Sequence, residues 1–303
     1  MRNIIEYKDF RWIDIIEPTD EDMKYIEEEF KLHPVTLKNI IPAVAHPDFD
    51  LFQDYVSMIL HYPRNEESGN VEIHELDVVV GKNYFITSHY KPIKPLTVAW
   101  EECASSDKLK EKYMGSGAGT FLFLILNKFL KRILEKTDKI GQSVAQVEKD
   151  IFVGEEIEKV KKISLLKRQI ISFWRGVDPQ GSVFYSLKNI GPDFFGEAYK
   201  YYFSDLFRTF QRIHNSLEAY KETIESLEET NHNIINVKRT EIMKILTVFS
   251  VILLPLTLMA SIWGMNTNLL PFKETPFDFW IIMTIMGTIS AGMIIYFKIK
   301  KWL

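Results

Sequence analysis

The stretch Glu241–Asn266, EIMKILTVFSVILLPLTLMASIWGMN, decides the fold. From Ile245 to Trp263 it carries no charged side chain for about 19 residues, enough helix to cross a hydrocarbon core of about 30 Å. It ends in Gly264-Met265-Asn266. A second uncharged run, Phe279 to Phe297, is of similar length and stops at Lys298. Only Gly264 to Asp278 separate the two, so the pattern predicts a helical hairpin through a membrane, with a short loop on the far side.

The first span is not uniformly apolar. At about 100° per residue, Met243, Thr247, Ser250, Leu254, Thr257 and Ser261 fall in one narrow sector. They follow a 4-3 alternation, the seam spacing of helices packed around a shared axis. Followed backwards, the seam meets Thr240, Asn236, Asn233 and Glu229, so it turns more polar as it leaves the membrane. Small hydroxyl residues tighten helix packing in lipid, which accounts for any single threonine. The whole stripe, continuing into Asn and Glu at the same phase, favours a water-filled axial pathway. Two spans cannot enclose a pore, so the pathway requires a homo-oligomer with this helix innermost.

Working outward, the basic flanks set the orientation. Lys238, Arg239 and Lys244 precede the hairpin, and Lys298, Lys300 and Lys301 follow it, whereas the loop sets Lys273 against Glu274 and Asp278. The positive-inside rule then places both termini in the cytoplasm. The opening MRNIIEYKDFRW has no apolar core and does not read as a signal peptide. The lone Cys103 suits a reducing compartment. The chain has 303 residues and a formal net charge of −4, with no basic face of the kind nucleic acid requires.

The remaining roughly 240 residues can bury a sizeable core. Residues 1–118 read as mixed α/β, with strands at Phe10–Ile15, Tyr55–Tyr62, Ile73–Val80 and Tyr84–Ser88. Thr19 is the expected cap of a first helix, which ends near Leu32-His33-Pro34, where a second begins. His33, His46, His61, His74 and His89 lack ligand-like spacing. No phosphate loop or nucleophile elbow is present, and nothing assembles an enzyme's nucleophile, base or metal cluster. Residues 119–191 read as helical arms. The run Phe121–Leu126 is too short to span a membrane and is followed by Lys128, so it is expected in the core. Glu148, Asp150, Glu155, Glu156 and Glu158 crowd the tip of the arms, as a solvated helix tip does; weak attraction of divalent cations is the functional alternative. Gly176 to Pro192 reads as a break. From Pro192 the pattern is helical through a stalk at 192–241 and a first span at 242–263, a helix of about 70 residues and about 105 Å. An outer loop at 264–278, a second span at 279–297 and a basic tail at 298–303 complete the chain.

Gly264-Met265-Asn266 at the end of the first of two terminal spans, with the tail Lys298-Ile299-Lys300-Lys301-Trp302-Leu303, resembles the CorA magnesium transporters. The likeness extends through Glu241–Thr247 and Leu254–Thr257 to Trp12-Ile13-Asp14 and Phe30–Pro34, so it covers essentially the whole chain. It implies a homopentameric funnel whose cytoplasmic domain is an αβα sandwich with helical arms, with the long helix lining the pore and the second span facing lipid. It implies further that Asn266 rings the outer mouth and binds hydrated Mg²⁺, with Gly264 allowing the turn that holds it. Thr257 and Ser261 would line the outer pore, Met243, Leu246 and Leu254 its apolar constrictions, and Glu229 its cytoplasmic acidic ring. Asp205 would be one partner of an inter-subunit site sensing cytoplasmic Mg²⁺, but Lys91 and Lys94 stand where the other acid is expected. The outer loop reads Leu270-Pro271-Phe272 in place of an acidic segment, leaving Glu274 and Asp278 to attract cations. The rival readings are a zinc transporter of the ZntB type or a Co²⁺ or Ni²⁺ carrier on the same fold, and a membrane-anchored sensor that does not transport. Met265 in the tripeptide leans towards Mg²⁺.

Overall fold

The computed structural model describes residues 1–40, 46–65, 71–152, 156–265 and 276–302. The chain divides into two units, Met1–Glu228 and Glu229–Leu303.

The first unit is built on a six-stranded sheet of order β1-β2-β6-β5-β4-β3. The strands are β1 (Arg2–Tyr7), β2 (Phe10–Ile16), β3 (Asp48–Leu51), β4 (Tyr55–Asn65), β5 (Val71–Gly81) and β6 (Tyr84–His89). Every pairing is antiparallel except β2 with β6, where Ile13 lies opposite Ile86. The central strands are covered on both faces and therefore read as continuous apolar runs such as Val78-Val79-Val80.

One face is covered by α1 (Asp20–Phe30) and α2 (Pro34–Ile40). Thr19 starts α1 with a reciprocal cap: its hydroxyl accepts from the Asp22 amide at 3.3 Å, and the Asp22 carboxylate accepts from the Thr19 amide at 3.2 Å. Lys31, at φ 51°, closes the helix. Ile26 and Leu32 then pack on Ile13, Ile15, Val79 and Ile86. The other face carries α3 (Lys94–Ser105), α4 (Asp107–Met114) and α5 (Ala118–Asp150). Here Trp12 meets Trp100 and Phe121 edge-on, at 4.7 and 5.1 Å between centroids. The Phe121–Leu126 run is core, with Phe121, Leu122 and Leu126 fully buried. The result is an αβα sandwich.

The arms are α5 and α6 (Glu156–Val177). The structure corrects the expected break after them. A short 3-10 turn, Asp178–Gln180, leads directly into α7 (Gly181–Phe195). Gln180 holds this turn to β4: it accepts from the His61 amide at 3.2 Å and donates to the His61 carbonyl at 2.8 Å. The long helix α8 runs Lys200–Trp263 and does not start at Pro192, because Gly196 adopts φ +105° and ends α7 there. Within the first unit α8 buries Phe203, Leu206, Phe210, Ile213, Leu217 and Ile224, a 3-4-spaced stripe that packs it onto the sandwich. Gly191 permits the approach of α7: a Cβ there would stand 3.0 Å from the Phe203 ring.

The second unit holds the rest of α8 and α9 (Asp278–Ile299). Both contain windows long and apolar enough to cross a membrane.

Candidate functional site

The second unit has almost no core of its own. Asn231, Val248 and Phe297 are its buried residues among those described, while Leu246, Phe249, Leu254 and Leu258 stand more than half exposed. A continuous apolar surface of this extent is incompatible with water and must be covered by lipid or by other copies of the chain.

The two spans meet along one side of α8. A cleft at the loop end is lined by Ala260 and Trp263 of α8 and by Asp278, Phe279, Ile282 and Met286 of α9. Buried or half-buried positions on α8 from Val248 onward are Val248, Ile252, Pro255, Leu256, Met259 and Trp263. At about 100° per residue they occupy the sector opposite the Met243–Ser261 seam. Met243, Thr247, Ser250, Leu254, Thr257 and Ser261 are all exposed, as are Leu246 at the seam's edge and Glu229, Asn233, Asn236 and Thr240 upstream. The chain's own second span thus leaves the polar stripe uncovered.

The stripe has a defined hydrogen-bond polarity. The Thr240 hydroxyl donates to the Asn236 carbonyl at 2.9 Å, Thr247 to Met243 at 2.8 Å, Ser250 to Leu246 at 3.0 Å and Thr257 to Leu254 at 2.9 Å. Each hydroxyl proton is committed to the helix, which leaves oxygen lone pairs facing outward as acceptors. These four hydroxyls can accept hydrogen bonds from the water shell of a cation.

At the helix end the Gly264 amide donates to Ala260 at 2.9 Å, and the Met265 amide donates to Ile262 at 3.2 Å, tightening the last turn. Gly264 does not adopt positive φ. Asn266 and Glu274 lie outside the described residues. Asp278 opens α9 with its carboxylate on the Phe279 amide at 2.6 Å, a placement the helix dipole favours.

In the first unit, Asp205 is exposed and paired with Arg208 at 3.0 Å. Lys91 is paired with Glu72, and Lys94 is the first residue of α3. No group of three or more His, Cys, Asp or Glu able to hold a metal occurs among the described residues. Sequence reasoning missed a buried polar chain in the sandwich: the Trp12 indole donates to Thr87 at 3.1 Å, Thr87 donates to Asp14 at 2.6 Å, and the His89 ring lies 3.3 Å from Asp14. Asp14 within the apolar run of β2 was the signal that could have located it.

The family model described as "CorA-like Mg2+ transporter protein" matches residues 7–301. The chain belongs to the CorA-like Mg²⁺ transporter family. Members of this family are membrane transporters of divalent cations and not enzymes. A relative in Thermotoga maritima, the cobalt/magnesium transport protein CorA, is 24% identical over 96% of this chain and 83% of its own length. Among solved structures, the complete CorA magnesium transporter of Methanocaldococcus jannaschii superposes with a TM-score of 0.83 at 22% identity, covering 99% of this chain and 94% of the other. The ZntB cytoplasmic domain of Vibrio parahaemolyticus superposes with a TM-score of 0.63 at 13% identity, over 75% of this chain and 88% of the other.

Proposed function

We propose that this CorA-family chain forms a homopentameric channel that conducts Mg²⁺ into the cell, with the α8 seam lining the pore, α9 facing lipid and both termini in the cytoplasm. The observation that supports the reading is the uncovered stripe: α9 packs on the far side of α8, which leaves Thr247, Ser250 and Thr257 free for other copies of α8 to close around. Outward-facing hydroxyl acceptors suit a hydrated ion. Mg²⁺ sheds water reluctantly, so neutral oxygens can pass it with much of its shell intact, whereas bare carboxylate rings would hold it too tightly. Asn266, which follows the first span in sequence, supplies an amide ring for selection in this reading, and Glu274 and Asp278 attract cations to the mouth. Met243, Leu246 and Leu254 are the apolar constrictions, and Glu229 with Asn233 and Asn236 forms the polar cytoplasmic approach.

Cytoplasmic Mg²⁺ is the gating signal in this reading. The Asp205–Arg208 pair is solvent-exposed, and such pairs contribute about 0–1 kcal/mol, so an incoming ion can displace the arginine. Lys91 and Lys94 offer no second carboxylate, so the opposing acid comes from elsewhere, with the acidic arm tips the available source.

The relative in Thermotoga maritima is named for cobalt and magnesium, which supports both as transported ions; Ni²⁺ is a further candidate. Zn²⁺ is kept as a rival ion on the same fold. The test is Mg²⁺ influx into liposomes, wild type beside Asn266→Ala, with Zn²⁺, Co²⁺ and Ni²⁺ as competitors. Flux in the wild type and loss in the variant support the reading. No flux from an intact oligomer sinks it in favour of a non-transporting sensor, and preferential Zn²⁺ flux replaces Mg²⁺ as substrate.

A further inference from the structure

On the face of the sandwich carrying α3 and α5, a cleft of about 480 Å³ opens between the end of β4 and these helices. Tyr62, Arg64, Lys94, Arg132 and Lys136 line it, and Glu101 is its one acidic lining residue among those described. A smaller hollow of about 420 Å³ continues from it, sharing Lys94 and Arg132 and adding Lys128 and Lys131 against Glu135. For a chain of net negative charge this is a strong local excess of cations.

The local acids are mostly committed elsewhere. Glu102 takes Lys128 at 2.6 Å, and Glu135 takes Arg132 at 2.6 Å. Glu72, opposite Arg64 in the β4–β5 register, takes Lys91 and the His74 ring. Arg64, Lys94 and Lys136 make no ion pair among the described residues. Lys136 is half-buried, donates to the Pro63 carbonyl at 2.7 Å and lies 4.2 Å from the Tyr62 ring centroid. Burial first, and then the charges of Arg132, Arg64 and Lys94, push its amine down to about 8. Lys94 also stands at the start of α3, where no side chain caps the helix, so the positive end of the helix dipole adds to the same field.

We propose that this cleft is a binding site for a phosphate-bearing anion, held between Arg64, Lys94 and Lys136. A monovalent carboxylate or halide would neutralise only part of three convergent cations, whereas a phosphoryl group brings about two charges and three acceptor oxygens. Arg64 supplies a planar fork for two of those oxygens, and the lysines supply point charges. The volume lies within the usual range for small-ligand sites, about 300–1,000 Å³, and leaves room for more than an inorganic ion. Glu101 can accept from a hydroxyl of the same ligand, which favours a phosphate ester or nucleotide over sulfate. Because its residues are all in the first unit, the site stands or falls independently of the pore.

The experiment is calorimetric titration of the full-length, detergent-solubilised protein in magnesium-free buffer with inorganic phosphate, pyrophosphate and ATP, and with sodium sulfate at matched ionic strength. Saturable binding of pyrophosphate or ATP is expected, weakened about tenfold or more by Arg64→Gln or Lys94→Gln, since each removes a charge-assisted hydrogen bond. Lys24→Gln, on α1 and the opposite face of the sheet, should bind as the wild type does. Both test residues are at the cleft wall and outside the core, and an unchanged melting temperature without ligand certifies the fold. No saturable binding, equal binding by all variants, or sulfate binding as tightly as ATP overturns the proposal.

Discussion

The hydroxyl of Thr247 donates to the carbonyl of Met243, one turn back along α8, at 2.8 Å. Ser250 and Thr257 repeat the arrangement with Leu246 and Leu254. Whatever approaches these hydroxyls from outside therefore meets oxygen acceptors, held on the side of the helix that α9 does not cover.

Replacing Thr247 or Thr257 by valine keeps the shape and removes the outward oxygen. In the pore reading, Mg²⁺ flux into liposomes should fall about tenfold for each, the equivalent of about 1.4 kcal/mol at the barrier. Size-exclusion chromatography should show an unchanged oligomer. Unaltered flux would place both hydroxyls at a packing seam.

Leu254, two-thirds exposed on the seam, is the proposed apolar constriction, which closes by excluding water. Leu254→Ser should let it wet, so flux should persist at internal Mg²⁺ concentrations that silence the wild type. Equal inhibition of both proteins would remove Leu254 from the gate.

In the sandwich, Thr87 is fully buried, accepts from Trp12 and donates to Asp14. Thr87→Val leaves an indole N–H and a carboxylate oxygen without that partner, a loss of about 1–3 kcal/mol. The melting temperature of the first unit, followed by circular dichroism of the solubilised protein, should fall by several degrees without change in the oligomer.

Asp77 on β5 is 4% exposed, and its carboxylate oxygens find no partner among the described residues. Burial, aided by the charge of Glu75, holds its carboxyl well above the usual range. The folded state then binds a proton that the unfolded chain has released, so this group makes stability fall as pH rises from the ordinary carboxylate pKa through the raised one. Asp77→Asn should flatten that part of the melting temperature–pH curve and raise stability at pH 8. An unchanged slope would contradict a raised Asp77.

Much of this was legible in the residues. The two apolar runs, the Thr19 cap and the burial of Phe121–Leu126 follow from period and composition, because each signal is local. The expected break at Gly176–Pro192 was not there. Pro179 sits in the 3-10 turn, Pro192 lies inside α7 and Gly191 permits a close helix crossing, while Gln180 fastens the turn through a strand more than a hundred residues away in sequence. Strand β3, only Asp48–Leu51, and helices α3 and α4 are too short or too mixed in polarity to declare themselves. The seam could be read from spacing, but which side of α8 its own second span would cover could not, since that depends on packing between helices. The basic cleft was equally hidden: Arg64, Lys94 and Lys136 come together only when β4, α3 and α5 are assembled.

The most direct test of the pore is thiol accessibility along α8 in liposomes. The chain's lone cysteine, Cys103, is buried and its thiol is pushed up to about 11, so background labelling is low. Ser250→Cys and Thr257→Cys lie on the seam, and Ile252→Cys and Met259→Cys lie on the side facing α9. A small, water-soluble, membrane-impermeant thiol reagent should modify the first pair and block Mg²⁺ flux while sparing the second. Modification of Ile252→Cys and Met259→Cys with the seam left untouched would contradict the account.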